Sequence, residues 1–179
     1  MNEVTTFQEQ SGQAKQAYEQ GDFLEAARLF KTAAETLSKS GDLCGAAEQE
    51  NNVSVALLKA GDAKEALQAA EGTDKVFEQA GDVRRQAIAL GNLAAALEAT
   101  GKLPEALLDY QLSADLLKQV NDLELRTYAL KNLSALQLRM GRQFEAMASM
   151  DAALYPKKKM TFIEKILKKL LKVPLRMLH

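Results

Sequence analysis

The sequence predicts an all-α protein: a right-handed α-solenoid of four antiparallel helical hairpins, followed by a C-terminal amphipathic helix. Three observations predict this architecture. The composition favours helix, with only 3 Pro among 179 residues. Turn residues recur every 20 positions, and a second signature recurs at every other turn. A period that persists along the whole body of the chain indicates stacked structural repeats.

The turn residues define the helices between them. They stand at Gly21, Gly41, Gly61, Gly81, Gly101, Asn121 and Gly141, and five are followed by aspartate, at Asp22, Asp42, Asp62, Asp82 and Asp122. Gly and Asn accept the left-handed backbone that ends a helix, and the Asp carboxylate accepts hydrogen bonds from the N–H groups that begin the next one. Pro104 falls in a first turn, where proline is tolerated. We therefore expect eight helices of about 18 residues each.

Alternate turns differ, so the true period is 40 residues, one hairpin each. The turns at 21, 61, 101 and 141 continue as Gly-x-x-x-Glu-Ala. The alanine of this signature marks a close approach of two helices, and large and small residues alternate after it, as interlocking helices require. The same large-then-small pairing recurs on the first helix of three hairpins, at Val53-Ser54, Leu93-Ala94 and Leu133-Ser134.

This combination of features resembles the tetratricopeptide repeat (TPR) family over about 150 residues. Segments 87 to 119 and 127 to 155 match its pattern best, and the 40-residue period is similar to the long-helix repeats of kinesin light chains and spindle-orientation adaptors. The resemblance implies a protein-interaction scaffold. We assign residues 1–156 to the repeat domain, with repeats of about 7–40, 47–80, 87–120 and 127–155, and residues 157–179 to a basic amphipathic C-terminal tail.

One polar residue recurs on the first helices. Asn52, Asn92 and Asn132 each stand nine residues before a Gly turn. In the TPR family the corresponding face lines a concave groove, where such an asparagine holds the backbone of an extended peptide. A side-chain amide both donates and accepts, so it can pair with any peptide unit. The resemblance therefore implies a peptide-binding ladder with three rungs. The alternative is that each Asn bonds a neighbouring helix or faces water.

Residues that differ between the repeats would give such a groove its specificity. We expect it to involve Val55 beside the asparagines, together with the variable residues Glu48, Lys59, Tyr128, Lys131 and Arg139. The expected partner is a protein or a peptide.

The sequence offers little for catalysis, and we predict that the protein is not an enzyme. Its single histidine, His179, is the last residue, and its glycines are isolated helix ends without a phosphate-binding cluster. We expect no metal, no cofactor and no small-molecule substrate. The single cysteine, Cys44, and the polar first residues favour a cytoplasmic protein without a secretory signal.

Charge divides the chain. Residues 1–156 carry 15 Lys/Arg and 23 Asp/Glu, whereas residues 157–179 carry 8 and 1. A helix from about 160 to 173 would place Phe162, Ile163, Ile166, Leu167, Leu170 and Leu171 on one half and Lys165, Lys168, Lys169 and Lys172 on the other.

Three interpretations of this tail stay open. It caps the last hairpin, it binds an anionic membrane surface peripherally, or it docks on the acidic body and drives self-association. Nucleic acid is not an expected partner, because the body is acidic and basic residues are not interleaved with aromatic ones.

Overall fold

The computed structural model describes residues 3–154, with side chains from residue 7 onward, and residues 165–166 and 169–170 of the tail. Every regular element in this part of the chain is an α-helix. The helices are α1 (Glu3–Glu19), α2 (Phe23–Ser40), α3 (Leu43–Ala60), α4 (Ala63–Ala70), α5 (Thr73–Gln79), α6 (Val83–Ala99), α7 (Leu103–Gln119), α8 (Leu123–Arg139) and α9 (Gln143–Leu154).

These helices pack in four consecutive hairpins: α1 with α2, α3 with α4 and α5, α6 with α7, and α8 with α9. Each hairpin also packs against the next one, because α3 contacts α2, α6 contacts α4 and α5, and α8 contacts α7. The result is the predicted solenoid. We call α1, α3, α6 and α8 the first helices of the hairpins, and we call α2, α4–α5, α7 and α9 the second helices.

The turns form as the sequence predicts. The seven predicted turn positions all have positive φ, including Asn121 at 56°, where most side chains would be strained. The carboxylates of Asp22, Asp42, Asp82 and Asp122 each accept a hydrogen bond from the backbone N–H three residues later. Asp62 is the exception, because its side chain forms no capping hydrogen bond.

Asp82 provides a matched test of this capping. Its carboxylate accepts the Arg85 backbone N–H at 2.9 Å and the Arg85 Nε–H at 2.6 Å. We expect Asp82→Ala to lower the free energy of unfolding by about 1 kcal/mol. Asp62→Ala should cost clearly less, since no cap is lost. Urea denaturation of both variants followed by circular dichroism measures the difference, and equal losses would contradict the assignment.

The Asp82 contribution should also depend on pH. The same two Arg85 groups lower the pKa of Asp82 below its ordinary value of 3.8. A carboxyl whose pKa is depressed by folding stabilises the folded state above its unfolded pKa, and it loses that contribution as pH falls through the folded value. The stability difference between Asp82→Ala and the parent should therefore shrink below about pH 4.

Small residues line the helix crossings. The alanines of the Gly-x-x-x-Glu-Ala signature, Ala26, Ala66, Ala106 and Ala146, are buried. Two serines also bond between helices: Ser113 Oγ donates to the Ala87 carbonyl and Ser134 Oγ to the Ala146 carbonyl, each at 2.7 Å. Short side chains therefore let the backbones approach closely enough for these bonds.

The second helix of the second hairpin is not continuous. Eight helices of about 18 residues each are expected from the turn spacing, but this one is interrupted between α4 and α5 at Glu71 and Gly72. Gly72 has φ of 81°, and the Thr73 hydroxyl donates to the Ala70 carbonyl at 2.8 Å. A left-handed glycine cannot continue an α-helix, so the helix restarts at Thr73.

Candidate functional site

The three repeated asparagines lie on successive first helices. Asn52 is on α3, Asn92 on α6 and Asn132 on α8, and each is half-buried. Because α3 packs against α6 and α6 against α8, the three positions lie in a row across the hairpins. We call the surface around them the first-helix face, defined by Asn52, Asn92 and Asn132.

A cavity of about 250 Å³ opens on this face between α1 and α3. Tyr18, Phe30 and Val55 supply its apolar walls, and Asn52 also lines it. The Tyr18 ring packs edge-on against Phe23, with 5.3 Å between the ring centroids, which holds the aromatic wall in place. The cavity is therefore suited to an apolar side chain whose backbone passes close to Asn52.

A second cavity of about 220 Å³ lies between α3 and α6. Both Asn52 and Asn92 line it, together with Ile88 and the charged side chains of Glu48 and Arg85. Asn52 thus belongs to both cavities. The two cavities and the two amides place apolar and hydrogen-bonding groups side by side along one line.

Hydrogen bonds within the chain use only some of the donors and acceptors of the Asn52 and Asn92 side chains. Asn52 Nδ2 donates to Gln49 Oε1 at 3.4 Å, and Asn92 Nδ2 donates to Asn51 Oδ1 at 3.3 Å. Buried Asn51 in turn donates to the Ala47 carbonyl at 3.0 Å. Within the described chain, the side-chain oxygens of Asn52 and Asn92 accept no hydrogen bond. Each amide therefore retains one N–H donor and its acceptor for a ligand.

Asn132 differs from the other two asparagines. Its side chain forms no hydrogen bond to any residue that the structure describes. The reason lies one hairpin earlier, where Gly91 stands at the position corresponding to Asn51 and so offers no side-chain acceptor. The side-chain donors and acceptor of Asn132 are therefore unused by residues 7–154.

Two of the predicted specificity residues also hold neighbouring repeats together. Glu48 pairs with Arg85 at 3.4 Å, and Arg139 pairs with Glu98. Glu98 also accepts the Tyr110 hydroxyl at 3.2 Å, and burial together with this carboxylate raises the pKa of Tyr110. Glu48 and Arg139 remain more than half exposed, so ion pairing leaves them accessible from solvent.

The other predicted specificity residues differ in whether they line a cavity. Val55 lines the first cavity, whereas Lys59, Tyr128 and Lys131 are exposed and line neither cavity. Tyr128 is 67% exposed, an unusual position for a large aromatic side chain on a first helix. The N-terminal half of the first-helix face therefore carries the cavities, and the C-terminal half carries exposed polar and aromatic groups.

Sequence reasoning missed several residues of this face. Tyr18 was missed because no other hairpin has an aromatic residue at that position, and Asn51 because it was not repeated. Arg84 and Arg85 stand one turn before Ile88 on the same helix, and that spacing was the available signal. Arg84 pairs with Asp122 at 3.0 Å and Arg85 lies 5.0 Å over the Phe77 ring.

Part of the predicted tail surface falls within the described residues. Lys165, Ile166, Lys169 and Leu170 are helical and exposed, with Ile166 46% and Leu170 62% exposed. Phe162, Ile163, Leu167, Leu171, Lys168 and Lys172 lie outside the described residues. No helix in the described part of the chain has the length and apolar character needed to cross a membrane.

The described residues contain no group of three or more His, Cys, Asp or Glu side chains placed to hold a metal ion. The predicted candidate groups on the first-helix face are amides, an aromatic ring, aliphatic side chains and ion-paired charges. Such a set can bind a chain by hydrogen bonds and apolar contacts.

Comparison with solved structures identifies the fold. The chain superposes on the crystal structure of a point variant of nearly identical TPR-like repeats, described as belonging to a kinesin light chain of Podosopora anserina, with a TM-score of 0.77. The match covers 99% of this chain and 94% of that chain at 14% sequence identity. No family model and no curated protein matches the sequence. The fold is therefore that of a TPR-like solenoid, as the sequence predicts.

Proposed function

We propose that this protein is a non-catalytic cytoplasmic scaffold that binds an extended peptide, or an extended segment of a partner protein, along the first-helix face. The observation that carries the proposal is the position of Asn52, which lies between two cavities and keeps a donor and an acceptor unused by its own chain. The likeness of this protein's fold to the repeats of a kinesin light chain supports a role in protein interaction.

The chemistry of the face fits an extended segment. Successive side chains of an extended chain point to opposite sides, so its backbone can pair with the asparagine amides while alternate side chains enter the cavities. Tyr18 and Val55 would surround an apolar side chain of the ligand. Beyond Asn92, the exposed Tyr128 and the free amide of Asn132 would contact the remainder of the segment.

Selection from a displayed library of random peptides tests this function. The full chain is immobilised and bound peptides are enriched, sequenced and resynthesised. We expect a family of related sequences that share an apolar residue, because the Tyr18 cavity accepts one. Recovery of no sequence family above the background of an unrelated helical protein would contradict the proposal.

A second candidate function rests on the exposure of Ile166 and Leu170. A membrane-recruited scaffold would insert this apolar face among anionic lipids while Lys165 and Lys169 contact the headgroups. Co-sedimentation with neutral and anionic liposomes at low and high salt tests it. The full chain should pellet only with anionic liposomes at low salt, and Ile166→Glu with Leu170→Glu should abolish pelleting.

A further inference from the structure

Two larger cavities lie on the opposite face of α3 from Asn52, between the second helices of the first two hairpins. One has a volume of about 530 Å³ and the other about 420 Å³. Glu50 of α3 lines both, so the two cavities adjoin at this residue. We call the two cavities together the second-helix groove, defined by Glu35, Glu50, Glu65, Glu71 and Gly72.

The helix break shapes one wall of this groove. Gly72 stands on the wall where the corresponding residues of the other second helices are Thr32, Leu112 and Ala152. A Cβ at Gly72 would meet no atom within 4 Å, so the wall is open to solvent at this point. The break between α4 and α5 therefore lies in the wall of the larger cavity.

Glu50 is a half-buried carboxylate on the floor of the groove. Among the described residues it has no hydrogen bond and no ion pair. Burial raises its pKa, and nearby Glu35 adds to this effect, whereas Lys31 opposes it. Removing a carboxylate from water without a close partner is unfavourable, so a cation entering the groove would be stabilised there.

Four acidic side chains, Glu50 among them, and three basic ones line the groove, so it carries a small excess of negative charge. Glu35, Glu65 and Glu71 are exposed on its walls. The basic residues that line the groove are Arg28, Lys31 and Lys39, and Arg28 already pairs with Glu25 at 2.6 Å. Two helical walls above a helical floor of apolar residues such as Val53 and Leu57 provide the shape that a third helix fills.

The tail of this chain has the complementary chemistry. Residues 157–179 carry 8 Lys/Arg against 1 Glu, on a pattern that predicts one apolar and one basic half. In the single chain Ile166 and Leu170 are exposed, so they do not occupy the groove of their own molecule. We propose that the tail of a second copy of this chain docks in the second-helix groove.

Such docking joins unlike surfaces, the tail of one copy and the groove of another. An interface of this kind is heterologous, and it extends into longer assemblies as concentration rises unless a ring closes. The apolar half of the tail would cover the exposed Leu24 and Leu43, and a lysine would approach Glu50. This association is separate from peptide binding, because it uses the opposite face of α3.

Sedimentation velocity of the full chain over a range of concentrations tests the proposal. We expect the mass to rise above the 19.6 kDa of one chain and to fall again at high salt. A tail variant, Ile166→Glu with Leu170→Glu, and a groove variant, Glu65→Lys with Glu71→Lys, should each weaken association by on the order of tenfold. All four positions are exposed, so both variants should fold.

Mixing the two variants is the sharper experiment. The tail variant keeps an intact groove and the groove variant keeps an intact tail, so an equimolar mixture should form a dimer and no larger species. The matched control is Glu105→Lys with Glu124→Lys, which makes the same charge change at exposed positions outside the groove and should associate like the parent. Glu50→Gln should also weaken association, since it removes the half-buried charge.

Other outcomes would overturn the proposal. A full chain that stays monomeric at all concentrations excludes docking, and anionic liposome binding by that monomer would assign the tail to lipid. Association that the groove variant and Glu50→Gln leave unchanged would place the contact on another surface. Peptide selection on the first-helix face is unaffected by either result, so failure here is distinguishable from failure of the proposed function.

Discussion

Replacing Phe77 by alanine should lower the free energy of unfolding by about 3–5 kcal/mol. The Phe77 side chain is 1% exposed and packs with Ala47 of α3 and Ala89 of α6. It therefore fills the space between the second and third hairpins, where its neighbours are small alanines that cannot expand into the vacated volume. The Arg85 guanidinium over its ring would lose its contact as well.

Loss of the Phe77 ring should also make unfolding less cooperative. In a solenoid each repeat contacts only its neighbours, so the stability of the whole depends on each interface between repeats. A cavity between the second and third hairpins weakens the link between the two halves of the chain. We expect a lower midpoint in urea and a broader transition by circular dichroism.

Phe144 supplies the control for this substitution. It is the same residue type on a second helix, but it is 61% exposed. Phe144→Ala should change the unfolding free energy by no more than about 0.5 kcal/mol. Equal losses at the two positions would mean that Phe77 does not pack between the hairpins as described.

The second large effect concerns binding. The triple variant Asn52→Ala, Asn92→Ala and Asn132→Ala should bind a selected peptide on the order of 100-fold more weakly than the parent. Each lost amide contact contributes about 1 kcal/mol, and three together correspond to about two powers of ten in affinity. Isothermal titration calorimetry with a resynthesised peptide measures the difference.

The variant should remain folded, which makes the result interpretable. Alanine is a better helix former than asparagine, and this gain offsets the hydrogen bonds that Asn52 and Asn92 make within the chain. The control replaces three exposed glutamines on the second helices by alanine, which removes the same number of side-chain amides. The three positions are Gln68, Gln111 and Gln143. That control should bind the peptide with the affinity of the parent.

Much of the fold could be predicted from sequence because its determinants are local. A left-handed turn residue such as Gly41 or Asn121 and the carboxylate that follows it end one helix and begin the next without reference to the rest of the chain. The small residue at each crossing, such as Ala106, recurs at a fixed distance from its turn. Repetition made both signals visible.

The break at Gly72 could not be predicted from the repeat. The 20-residue spacing from Gly61 to Gly81 is preserved across it, so the period gives no warning. A glycine inside a helical pattern is often tolerated within a continuous helix. The outcome depends on whether a local contact replaces the lost helical bonds, and here the Thr73 hydroxyl provides one.

The candidate site was only partly predictable for a different reason. The period identifies Asn52, Asn92 and Asn132 as neighbours in the stack, but not what each amide bonds. Whether Asn92 finds an acceptor depends on Asn51, a residue with no equivalent in the next hairpin, where Gly91 stands. Contacts between different positions of adjacent repeats do not recur, so no repeated pattern reveals them.

An extended peptide bound along the first-helix face would change the surroundings of its three asparagine amides. The most direct measurement is a proton–nitrogen correlation spectrum of the labelled full chain during titration with a selected peptide. We predict that the side-chain amide signals of Asn52, Asn92 and Asn132 shift, while that of Asn121, in a turn between hairpins, does not. Binding that leaves those three signals unchanged, and instead shifts signals from the second helices, would contradict the account.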